Sequence, residues 1–180
     1  MGNSDTTPQP GGQHPGAQRP SVERSPMERQ GEAVRAISQL LLDHLFLPPT
    51  WSSVRVVFAP VETGWLAAPV IDYRTADGAA AEASGYSTFG AVSQLAHQLD
   101  QLQRASADQG SACISVSMEL VRKQTDGDRI SIGVTMNYDQ DPGDVDGHGG
   151  ISPAVAARLL RRFGPGALPA WVRERADEGA

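Results

Sequence analysis

The chain has 180 residues, a formal net charge of −6, 39% hydrophobic residues and a single cysteine. That length predicts one domain, the acidic balance argues against non-specific affinity for nucleic acid, and a lone Cys113 excludes an intrachain disulfide or a CxxC motif. Nowhere do about 18 apolar residues run together, so no membrane-spanning helix is expected.

Residues 1–30 hold only Val22 and two methionines as sizeable aliphatic side chains, amid Pro, Gly, Gln and Ser. Such a stretch cannot bury enough apolar area to offset its ordering entropy. It reads as a disordered tail, with 31–176 as a single folded domain. Without an apolar h-region the tail does not read as a secretory signal, and the cytoplasm is the expected compartment. Arg19, Arg24 and Arg29 offset Asp5, Glu23 and Glu28 within it, so the excess negative charge falls on residues 31–180.

Folding is expected to begin near Glu28. Val34, Ile37, Leu41 and Leu45 recur at helical spacing, widened by Leu40 and Leu42, and Pro48 with Pro49 stops that helix. Residues 51–59, WSSVRVVFA, read as a strand. A turn at Val61-Glu62-Thr63-Gly64 leads into a second strand over 65–74, in which Pro69 implies an edge position or a bulge. Asp77-Gly78 turns the chain again, and 79–86 returns as a short third strand. Ser87 or Thr88 caps a helix carrying Val92, Leu95, Leu99 and Leu102 on one face.

Two long alternating segments follow. Ala112, Ile114, Val116, Met118 and Leu120 alternate with Cys113, Ser115, Ser117 and Glu119. Ile130, Ile132, Val134, Met136 and Tyr138 then alternate with Ser131, Gly133, Thr135 and Asn137. Period-two alternation of this length predicts a sheet with one buried and one wet face. The apolar faces of the two strands match only if opposed residues sum to an even number. A three-residue loop, Thr125-Asp126-Gly127, satisfies that condition, whereas a two-residue Asp126-Gly127 loop would turn Leu120 outward. Leu120 is therefore expected opposite Ile132, and Val116 opposite Met136. Ser152-Pro153 starts a further helix that Gly164 and Pro165 close, and a last short helix packs Trp171 onto the body. The order α-β-β-β-α-β-β-α-α predicts an α+β domain, an antiparallel sheet of about five strands with helices packed on one face.

Among candidate chemistries, Asp139, Asp141, Asp144 and Asp146 alternate with Pro and Gly as calcium loops do. Counted from Asp144, however, the twelfth position is Val155, where an EF-hand needs a bidentate glutamate. His148 adds one possible nitrogen ligand and does not repair that spacing, so no metal or other cofactor is expected. No G-x-S-x-G, P-loop, H-E-x-x-H or G-x-G-x-x-G is present. His14 lies in the tail, while His44 and His97 read as helix-surface or boundary residues rather than as bases. Cys113 has no recognisable base beside it. Trp65 and Trp171 read as core residues, with an interface hot spot as the alternative. The polar strand positions Ser115, Ser117, Ser131 and Thr135 read equally as a solvated face or as a docking surface.

The order of pieces carries a resemblance. An amphipathic helix passes through a Pro-Pro-x-Trp junction at Pro48, Pro49 and Trp51 into WSSVRVVFA. A helix then precedes two alternating strands ending in Asn137-Tyr138-Asp139, and a short helix and Leu168-Pro169-Ala170-Trp171 follow. Over residues 32–171 this resembles the YezG-like immunity (antitoxin) proteins of bacterial polymorphic-toxin systems, while residues 1–30 and 142–150 depart from that pattern. The resemblance implies a non-catalytic cytoplasmic protein that binds and neutralises a cognate toxin domain, often a nuclease. The expected contact surface is acidic: Asp139, Asp141, Asp144 and Asp146, with Glu119. The alternative is a small enzyme or small-molecule-binding domain with a pocket at Tyr138-Asp139, near the end of the last strand.

Overall fold

The computed structural model describes residues 24–84, 92–123, 129–145 and 147–179. Helix α1 spans Pro26–His44. Its start corrects the expected boundary, because residues 26–30, assigned to the tail, are helical. The cause is local: Ser25 Oγ accepts from the Glu28 amide at 3.3 Å, Glu28 Oε2 accepts from the Ser25 amide at 2.8 Å, and Pro26 opens the first turn. This capping box satisfies two orphan donors at once. Arg29 then bonds Asp108 at 2.7 Å, tying the first turn of α1 to the chain beyond α2, Val92–Ala107.

Five strands follow in the expected order: β1 Trp51–Val61, β2 Gly64–Arg74, β3 Ala80–Ser84, β4 Ser115–Lys123 and β5 Arg129–Asn137. They form one antiparallel sheet in the order β3-β2-β1-β4-β5. The mixed α+β class and the register of the last hairpin agree with the alternation, since Leu120 pairs with Ile132 and Val116 with Met136. The Thr125-Asp126-Gly127 loop, the Ser87 or Thr88 cap and the end of the third segment at Tyr86 lie outside the described residues. Pro69 pairs with Val56 on β1, while described pairing with β3 reaches only to Val70. Its missing N–H therefore leaves the described β2–β3 ladder intact.

Helices α1 and α2 cover one face of the sheet. Ile37, Leu41, Leu99 and Leu102 pack there against Val54, Val56 and Phe58 of β1 and Val116, Met118 and Leu120 of β4. Helices α3, Pro153–Phe163, and α4, Ala170–Asp177, build a second cluster around Ala112, Ile114, Ile151, Val155 and Leu159. Ser152 caps α3 and Pro153 opens it, as the sequence signal requires. His44 and His97 are exposed on their helices.

The expected alternation fails at one place. Ala112 and Ile114 do not share a cluster with Val116; they enter the α3–α4 core, while Cys113 is buried in the main one. The strand begins only at Ser115. Before it, Gln103 Nε2 of α2 donates to the Cys113 carbonyl at 2.7 Å, and the Cys113 amide donates to Ser106 Oγ at 3.0 Å. Backbone bonded to helix side chains is released from the strand ladder, so the two-residue period does not bind it.

Phe58 is wholly buried at the centre of the main cluster. Replacing it with alanine should cost about 3–5 kcal/mol, transfer and cavity terms together, read as a lower midpoint in urea denaturation followed by circular dichroism.

Candidate binding surface

The second face of the sheet has no helix of α1 or α2 over it. Strand register places on it Ser53, Arg55 and Val57 of β1, Asp72 and Arg74 of β2, Glu82 of β3, Ser117, Glu119 and Lys123 of β4, and Arg129, Ser131, Gly133 and Thr135 of β5. Of these, Arg55, Arg74, Glu82, Ser117, Glu119, Lys123, Arg129, Ser131, Gly133 and Thr135 are exposed. Arg55 Nη2 stands 3.2 Å from Glu82 Oε2 and 3.8 Å from Asp72 Oδ1. Asp72 also accepts a hydrogen bond from Ser53 Oγ. Glu119 lies directly opposite Arg55 on one side and Gly133 on the other. With no side chain at Gly133, that flank of the carboxylate is open.

The loop after β5 closes one end of this face. Val145 is buried against Ala59 and Leu66, with Val57, Val61 and Ala68 packed around them, all on the side that carries Glu119. The aspartate loop is thus a rim to the open face. Glu119 stands one row of side chains beyond Val57 and Ser117, about 7 Å along the strand.

The expected contact residues separate into different roles. Asp141 builds the loop: its Oδ1 accepts from the amides of Gly143 at 3.0 Å and Ile151 at 3.2 Å, and its Oδ2 lies 3.6 Å from Arg175 Nη2. Gly150 runs beside it at φ 77°, where a Cβ would come within 2.6 Å of Asp141 Oδ1. Asp144 is exposed and accepts from the Gly149 amide at 3.3 Å. Asp139 is exposed, and its carbonyl accepts from Trp171 Nε1 at 2.6 Å. Asp146 lies outside the described residues. Among the described residues, no group of three or more His, Cys, Asp or Glu side chains converges as metal ligands would.

A separate polar cleft of about 220 Å³ is lined by Trp65, Asp100, Gln103, Arg158 and Arg162. Sequence reasoning missed it, because α2 and α3 meet there from distant parts of the chain. Its polar groups hold one another. Asp100 Oδ1 accepts from Trp65 Nε1 at 3.0 Å and from Arg162 Nη1 at 2.8 Å. Arg158 donates to the carbonyls of Val61 and Glu62 at 2.7 Å each. Burial pushes the Asp100 carboxyl up, but hydrogen bonds from Arg162 and Trp65 and the charges of Arg162 and Arg104 outweigh it and hold it below its ordinary 3.8. Both tryptophans considered as hot spots thus spend their N–H groups inside the molecule. Burial also pushes the Cys113 thiol above its ordinary 9.0, against a hydrogen bond with Ser106. A thiol so held is a poor source of the nucleophilic thiolate.

Compared with protein-family models and with curated protein sequences, the chain matches none. Among the described residues, no helix is long and apolar enough to cross a membrane.

Two measurements test these assignments. Asp141→Ala should lower stability by about 1–3 kcal/mol, since it removes the acceptor of the Gly143 amide and of the amide of the fully buried Ile151. Asp144→Ala should change stability by less than about 0.5 kcal/mol in the same denaturation series. The Asp100 network gives a pH signature. A carboxylate with a depressed folded pKa stabilises above its unfolded pKa, and that contribution is lost as pH falls through the folded value. Asp100→Asn should therefore be less stable than the wild type at neutral pH, with the gap closing as pH drops below 3.8.

Proposed function

We propose that this protein is a non-catalytic binding module: a cytoplasmic immunity protein that neutralises a cognate toxin domain through the open sheet face and its aspartate rim. One observation carries the reading. Glu119, Asp72 and Glu82 stand on a broad face that neither α1 nor α2 covers, and the loop bearing Asp139 and Asp144 packs onto that same side. The central cation, Arg55, is drawn toward Asp72 and Glu82, which leaves Glu119 unneutralised by it. Lys123 and Arg129 stand on the same side but four residues further along their strands, away from the rim. The acidic end made by Glu119 and the aspartate loop complements a basic cleft such as a nuclease uses to hold a phosphate backbone, and it accelerates encounter with such a cleft. The resemblance to YezG-like immunity proteins supplies the biological setting for that chemistry. The reading assigns Asp141 to scaffolding rather than contact, and Glu119, Asp139 and Asp144 to the partner.

The test is recovery of the partner from the native host by affinity capture and mass spectrometry, followed by stopped-flow association. Combined Glu119→Lys, Asp139→Lys and Asp144→Lys substitution should slow association at least about tenfold at low salt, with the difference shrinking as salt rises. An unchanged rate constant at low salt would remove the acidic surface from the mechanism.

A further inference from the structure

The outer edge of β5 is unusual for the end of a sheet. Natural edge strands are kept from pairing by shortness, proline, lysine, inward charges or bulges. Strand β5 runs nine residues, Arg129–Asn137, with no proline and no lysine, and it carries no charge after Arg129. Its pairing with β4 proceeds without a register shift from Lys123↔Arg129 to Ser115↔Asn137. Among the described residues no strand lies on its other side. Apolar side chains are nevertheless left in solvent there, with Ile130 36% and Ile132 45% exposed.

The sequence of this edge is also chemically palindromic about Gly133. Ile132 mirrors Val134, Ser131 mirrors Thr135, and Ile130 mirrors Met136. An antiparallel strand paired with its own copy across a two-fold axis brings each residue opposite its mirror position, so self-pairing requires this kind of symmetry. On the helix side the axis would place Ile132 against the second copy's Val134, and Ile130 against its Met136. On the open side it would place Ser131 against the second copy's Thr135. Like charges do not meet, because Arg129 falls opposite the second copy's Asn137. A heterologous strand would need no such mirror relation.

From this symmetry and exposure we infer that the chain forms an isologous dimer by antiparallel β5–β5 pairing about Gly133, joining two sheets into one of ten strands. The pairing supplies backbone partners to an edge that has no strand beside it among the described residues, and it covers Ile130 and Ile132. It also makes the two open faces continuous, doubling the surface that carries Glu119.

Sedimentation equilibrium of the full chain should give twice the monomer mass of 19.1 kDa. Ile132→Lys, at an exposed position that tolerates lysine in the monomer, places a charge on each side of the axis. It should raise the dissociation constant on the order of a hundredfold, with the far-UV circular dichroism unchanged. Register is tested by Gly133→Cys, because an added Cβ at Gly133 meets only Glu119 atoms at 3.9 Å. That variant should oxidise to a covalent dimer through the new thiol alone, while the buried Cys113 leaves the wild type uncross-linked. A wild type that stays monomeric at every concentration would overturn the inference. So would protection of the β5 amides from hydrogen exchange in that monomer, by residues 1–23 or by a captured foreign strand. A dimer that Gly133→Cys fails to link, or one insensitive to Ile132→Lys, would overturn it as well.

Discussion

Three consecutive amides bond in three directions at the junction ahead of β4. Ala112 donates to the Ala167 carbonyl in the short 3₁₀ turn Pro165–Ala167, Cys113 to Ser106 Oγ on α2, and Ile114 to the Asn137 carbonyl at the end of β5. Gln103 closes the set by donating to the Cys113 carbonyl. Both α2 side chains are almost wholly out of solvent. Buried polar groups of this kind are costly unless satisfied, so the arrangement holds as a unit or fails as one. Everything downstream takes its position from it. It sets where β4 begins, hence the parity that turns Val116, Met118 and Leu120 inward, and it directs Ala112 and Ile114 into the α3–α4 cluster. The main cluster and the α3–α4 cluster meet at these three residues.

Legibility in the sequence divides along the same line. The sheet, its hairpin register and the α3 cap follow from short-range signals that nothing in the tertiary structure opposes. The wet face of β4 and β5 was also legible, because alternation states directly which side chains share a side. The start of α1 was in the sequence as Ser25-Pro26-Met27-Glu28, but composition over a longer window outweighed a four-residue capping signal. At 112–114 the pattern misled for a physical reason: helix side chains took over the backbone bonds on which a two-residue period rests. The Asp100–Arg162–Trp65 cluster lay beyond any local signal, since α2, α3 and β2 contribute one member each.

The candidate surface follows the same reasoning. Alternation placed Glu119 on the open face, but only the burial of Val145 against Ala59 and Leu66 puts the aspartate loop on that side too. Within the loop, the Asp141 carboxylate is occupied by folding, whereas Asp139 and Asp144 are exposed. Asp141 accepts two amides and meets Arg175, and so holds the shape in which Asp139 and Asp144 face solvent. Composition alone cannot make that distinction, because the aspartates are equivalent until backbone donors are assigned to them.

The order β3-β2-β1-β4-β5 has a consequence for synthesis on the ribosome. Strand β1 is central, and its two neighbours come from opposite sides of α2 in the chain. β2 follows at once through a short turn, whereas β4 emerges only after β3 and α2 have been made. At a typical elongation rate of about 5–20 residues per second, β1 waits for seconds with one edge bare. During that interval its strand-forming sequence, SSVRVVF, is open to the same segment on a neighbouring nascent chain. Correct closure is thus a race between an intramolecular event of fixed rate and an intermolecular one that scales with expression level. Yield of native protein should be governed by how fast the chain is made and how crowded its own translation is, as well as by final stability.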